Sequence, residues 1–278
     1  MLTTFKMLYA PIFFGGFAVA ALTLVQMGAG LFWLPVLVVL AIALSLIAES
    51  FAPYEPLWNK SLKDRQRDLI HSFVNEGSIV GMVALLPVIV GLVPWPSVWP
   101  AGLPLWIEVV AAVTLLDIGI TLVHFASHRV DWLWRFHAVH HSVKRMYGFN
   151  GLLKHPVHQT MEITGGALPW LLVGVPSDVA AIAATFVAIQ LLLQHSNVDM
   201  KIGPLKFIWA VAPVHRHHHV ASAERGDVNF GLFFTFWDVM LGTACFSTSK
   251  DVRAGSIGIE DRPDYPHEYL AQLVEPFR

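Results

Sequence analysis

Cysteine is almost missing from this 278-residue chain, which holds only Cys245, and charged residues make up just 14% of it. A single thiol excludes an internal disulfide and any cysteine-rich zinc or iron–sulfur site, so any metal chemistry must rest on histidine and carboxylate. Soluble domains carry about a quarter charged residues. The scarcity of charge here, beside 55% hydrophobic residues, points to a membrane protein. With a formal net charge of −2 and no basic stripe, nucleic-acid binding is excluded. Flavin and nicotinamide fingerprints are absent as well, because glycines such as those of "GAG" lie between apolar runs and not after a strand. No internal repeat or low-complexity tract occurs.

Long apolar runs are what the chain does have. Leu8 to Met27 and Leu31 to Ala48 read as a tight transmembrane hairpin, since about 20 residues at 1.5 Å rise span a hydrocarbon core. A signal peptide is the competing reading of the first run, but a second apolar run follows at once. Ile79 to Val93 and Trp106 to Val123 form another pair, joined by a Pro/Trp-rich loop suited to the membrane interface. Ile163 to Val175 and Val179 to Leu193 are shorter and broken at "GVPSD", a third hairpin that either spans or dips into the bilayer. The expected fold is all-α and polytopic. It has about four full transmembrane helices, the shorter hairpin and a histidine-rich helical cap, divided as 1–105 (transmembrane), 106–243 (histidine-bearing) and 244–278 (a solvated tail). Lys and Arg concentrate between Glu49 and Ser78 and after Val123, which places both termini and the histidine-rich segments in the cytoplasm.

Fourteen histidines stand in this apolar sequence. In "DIGITLVHFASHR", Asp117, His124 and His128 share one helix face, and imidazoles at i and i+4 can bind one metal. His137, His140 and His141 form one H-x-x-H-H box, and His215, His218 and His219 form another. Within each box the i, i+3/i+4 pairs converge while adjacent histidines diverge by about 100°, so each box can feed two neighbouring metals. His195 ends the last apolar run, with Asn197 two residues on. His155, His158 and His217 are further candidates as ligands or their supports, and Asp117 suits either fixing the tautomer of a ligating imidazole or helix packing. One metal rarely takes more than about six ligands, so nine imidazoles favour two. Imidazole suits iron, zinc and copper alike. His71 and His267, outside every box, read as hydrogen-bonded core residues. No separate catalytic side chain is assigned.

The series "HFASH", "HAVHH", "QHSNV" and "HRHHH", with "GPLKFIW" before the last box and "GDVNFGLFFTFWDVMLGT" after it, resembles the fatty acid hydroxylase/sterol desaturase superfamily of membrane di-iron enzymes. The resemblance covers about half the chain, Trp106 to Thr243. It implies two iron ions, zinc being a possible replacement, that activate O2 and are held by His124, His128, His137, His140, His141, His215, His218 and His219, with His195 added. It further implies hydroxylation or desaturation of a sterol or fatty-acyl-type lipid from the bilayer, with electrons from an external donor such as cytochrome b5 or a ferredoxin with its reductase. The basic residues Arg129, Arg135, Lys144 and Arg145 are either the face on which that donor docks or plain membrane anchors. Two rival readings are a metal-binding membrane protein or transporter and a structural zinc protein without catalysis.

Overall fold

In the computed structural model, which describes residues 1–92, 96–100, 102–247 and 252–278, the chain is helical and the described residues contain three isolated β-bridges but no strand. Seven helices carry the architecture: α1 (Leu2–Gln26), α2 (Trp33–Phe51), α3 (Arg65–Gly91), α4 (Leu105–Ser127), α5 (Asp131–His141), α6 (Pro156–Val173) and α7 (Ser177–His195). Five of them, α1 to α4 and α7, are long and apolar enough to cross a membrane. The expectation that Val93 ends a span, and part of the expected Pro/Trp-rich interfacial loop, lie outside the described residues.

α3 begins at Arg65, fourteen residues before the apolar run expected from Ile79 and inside what the sequence suggested was a loop, and the third hairpin also differs from its reading in the sequence. α6 begins at Pro156, seven residues before the apolar run, because His155 caps it through Nδ1, which accepts from the Val157 N–H, and proline suits the first helical turn. It stops at Gly174, whose φ of +76° is the left-handed conformation that closes many helices. In α7 every residue from Val179 to His195 is buried. A helix apolar all round belongs inside a bundle, and α7 forms the pillar against which α1, α2, α3 and α4 pack. Its C-terminal tip presents His195.

α4 and α6 cross closely at glycines. A Cβ on Gly119 would lie 2.1 Å from the Gly165 carbonyl oxygen, so the two backbones meet where no side chain intervenes, the small-residue contact favoured between membrane helices. The tail is also unlike its reading as a solvated terminus. Val252, Ile257, Ile259, Tyr265 and Gln272 are buried, and the Gln272 amide reaches back to His71 on α3. His71 is the hydrogen-bonded core residue expected, held by Lys154 O and Gln272 Oε1 at 2.9 Å each. His267, expected to be one as well, is exposed.

Candidate metal centre

Nine histidines converge in two adjoining groups. His124, His128, His137, His141 and His218 form the first, and His140, His195, His215 and His219 the second, with one ligand-type nitrogen from each residue lying within 4.8 Å of the others in its group. Helical phase divides the boxes. His137 and His141, one turn apart on α5, enter the first group while His140 turns to the second; His215 and His219 enter the second while His218 turns to the first. The groups abut, the His141 ring stacking on His219 with centroids 4.7 Å apart.

Tautomers decide what the groups can hold. The Nδ1 atoms of His124 and His218 face the carbonyls of Phe230 and Val228 at 2.9 Å, and those of His140 and His195 face Leu153 and Leu191 at 2.8 and 3.0 Å. A carbonyl only accepts, so each of these Nδ1 atoms carries the proton and each neutral ring keeps a bare lone pair on Nε2. Yet His124 Nε2 lies 2.9 Å from His218 Nε2, and His140 Nε2 lies 3.1 Å from His195 Nε2. Two bare acceptors at that distance repel unless a cation sits between them. Ligand nitrogens about 2.1 Å from a metal and at right angles to one another are about 3 Å apart, so the spacing fits a metal in each group. Burial, reinforced by neighbouring imidazoles, holds His137, His140, His141, His215, His218 and His219 well below the ordinary imidazole value, the neutral state that ligation requires.

Leu153 and Leu191 lie on other segments, but three carbonyls come from one short strap, residues 228–230. Val228 O serves His218, Asn229 O serves His215 at 3.3 Å, and Phe230 O serves His124. Asn229 adopts φ +57°, a left-handed conformation that asparagine tolerates better than most residues, and its amide donates to Val214 O and Cys245 O. Asp238 takes the Phe230 and Gly231 N–H groups at 2.6 and 2.9 Å, and Gln194 on α7 donates to the Gly231 and Leu232 carbonyls.

Several candidates sit elsewhere. Asp117 accepts from Phe233 N, Phe234 N and Trp237 Nε1, fastening the chain after the strap to α4. Asn197 bonds to Glu55, Asn59 and Glu49 and ties the loop after α7 to the end of α2. His155 is the cap of α6, with Nε2 on Leu273 O, and His217 lies in neither group. His158 stands beside the first group, its ring 4.4 Å from His137, with Nε2 3.0 Å from Ser127 Oγ and Nδ1 3.8 Å from Glu162. Of the basic residues read as either a docking face or plain membrane anchors, Arg145 is buried and bonded to Asp64 through two nitrogens, and Arg129 pairs with Asp227.

Asp227 escaped the sequence reading although it lies within the motif "GDVNFG". Its Oδ1 is 2.9 Å from His128 Nδ1, a carboxylate–histidine contact of the kind that orients metal ligands. Partial burial pushes its pKa up, but hydrogen bonds and charge from His128 and Arg129 outweigh this and hold it below the usual carboxylate range.

Residues 109–243 match the sequence model of the fatty acid hydroxylase family. An ornithine lipid hydroxylase of Rhizobium tropici is 31% identical over 256 residues, covering 89% of this chain and 76% of that protein. Alkylglycerol monooxygenases of Danio rerio and Homo sapiens are each 28% identical, over 157 and 150 residues, and the match spans 33% and 32% of their lengths. No solved structure matches.

Proposed function

Because the chain belongs to the fatty acid hydroxylase family, we propose that it is a membrane lipid hydroxylase whose two histidine groups hold two iron ions. The observation that carries this is the pair of facing bare Nε2 atoms in each group. Iron bound there would supply the activation of O2 needed to break an unactivated C–H bond, which side chains alone do not achieve; one oxygen atom enters the lipid and the other leaves as water, using two electrons and two protons from an external donor. Everything else falls to the chain. The strap carbonyls and Asp227 fix ring orientation, and the apolar surroundings of α4 and α7 exclude bulk water from the ligands. Hydroxylation is favoured over desaturation by the hydroxylase and monooxygenase relatives, and an amino-acid-bearing lipid by the ornithine lipid hydroxylase.

A transporter would place its ligands near the bilayer midplane within spanning helices. Here His128 and His195 stand at the C-terminal ends of α4 and α7, which favours the enzyme. The concentration of Lys and Arg on that side supports a cytoplasmic position for the groups, where a soluble electron donor has access. Protein purified without chelator should contain about two transition-metal ions per chain, and lipids from cells expressing it should gain a species heavier by one oxygen atom. Metal content near zero, or a lipid profile unchanged, would count against the proposal.

A further inference from the structure

A cavity of about 430 Å³ opens directly over the first histidine group. Its floor is His128, His141 and His218, and the His128 side chain is 5% exposed with Nε2 lacking a hydrogen-bond partner. Trp134 forms one wall, its ring 5.0 Å from His128 and 5.3 Å from His141. Three carboxylates, Asp227, Glu260 and Asp261, line the rim, and among the described residues no Lys or Arg does. Arg129 is committed to Asp227, and Lys144 packs against Gly258 without joining the lining. Asp227 is occupied by His128 and Arg129, but Glu260 and Asp261 are exposed and form no ion pair among the described residues.

Unpaired carboxylates beside an indole face are the combination that holds an alkylammonium group, by ion pairing and by attraction to the ring. A phosphate or free carboxylate would be repelled by the same rim. An acidic electron donor would be repelled too, so this mouth suits the substrate better than such a donor. We infer that the cavity is the headgroup subsite of the lipid substrate and that Glu260 and Asp261 select a head ending in an ammonium group. The inference rests on the lipid hydroxylase reading above and adds to it the residues that read the head.

The test uses metal-loaded, detergent-solubilised protein and two soluble probes: a short-chain N-acylornithine carboxamide, which has no free carboxylate and a free side-chain ammonium, and the same compound acetylated on that nitrogen. Wild type should bind the ammonium form about five- to tenfold more tightly, as expected for two partly solvated ion pairs. The double variant Glu260→Gln/Asp261→Asn should lose that preference and keep its metal, and Glu260→Lys should prefer the acetylated probe. Equal binding of both probes by wild type, or an undiminished preference in the double variant, overturns the inference. So does loss of metal from the double variant, because the two acids would then serve the metal centre. A preference that behaves as expected in protein that oxidises no lipid would refute the hydroxylase reading while leaving the ammonium site standing.

Discussion

His140 and His218 show what a single box residue contributes. Each faces a second bare Nε2 about 3 Å away, on His195 and His124, so truncating either removes a donor and leaves its partner's lone pair with an incomplete metal shell. His140→Ala and His218→Ala should lose at least half of the bound metal and all product formation, measured as metal per folded chain beside the lipid assay. His71→Ala is the contrast. It strands Gln272 Oε1 in the core, while Lys154 O keeps the Asn75 amide, at a cost of about 1–3 kcal/mol, lowering the unfolding temperature without emptying the centre. If the box variants kept full metal and activity, the histidine groups would not be the site. The convergence of the nine imidazoles was legible because helical phase is written in spacing, but only the pairs four apart meet; those three apart, His137 with His140 and His215 with His218, part into different groups as adjacent ones do. Their acceptors were not, since a main-chain carbonyl such as Leu153 O or Val228 O has no residue identity to read. Asp227 was hidden for another reason, because its partner His128 is 99 positions away.

Among the elements, the crossing of α4 with α6 sets where the first box lies. Gly119→Ala would drive a methyl into the Gly165 carbonyl, and overpacking of this kind typically costs about 1–3 kcal/mol. Since α4 carries His124 and ends at His128, the variant should melt earlier and hold less metal. Gly15→Ala on α1, where nothing lies within 4 Å of an added Cβ, should change neither quantity in the same detergent. Equal melting of the two variants would remove the argument for a tight crossing. Hydropathy found α1, α2 and α4 to within a few residues because their apolar runs fill the helices. It missed the first two turns of α6, which read "PVHQTME" and are signalled only by a cap and a proline, and it undervalued α7, whose alanines and glutamines lower its hydropathy although it is the most enclosed helix of the bundle.

Across the whole molecule, two ends are distinguished. Lys6 near the start of α1 pairs with Asp199 after α7, Arg253 of the tail donates to Tyr54 O after α2, and Gln272 meets His71, so both terminal regions gather at the histidine end. Ser97 bonds to the Val173 and Gly174 carbonyls at the other. In a Cys245→Ser background, Ala29→Cys in the exposed α1–α2 turn should react with a membrane-impermeant thiol reagent added to intact cells, and Lys201→Cys should react only after permeabilisation. The reverse pattern would invert the proposed orientation. The tail's return to the core could not be foreseen, because its apolar residues are isolated among prolines and charges and follow no helical period. The strap at residues 228–230 carries a consequence of another kind. Consecutive peptide units hold His218 and His124 of one group and His215 of the other, so the two histidine groups hang from a common bracket. A twist at Asn229 that turned one ring would turn its neighbours across the boundary, and neither group can be retuned alone through this segment. The centre is mechanically one object with two seats.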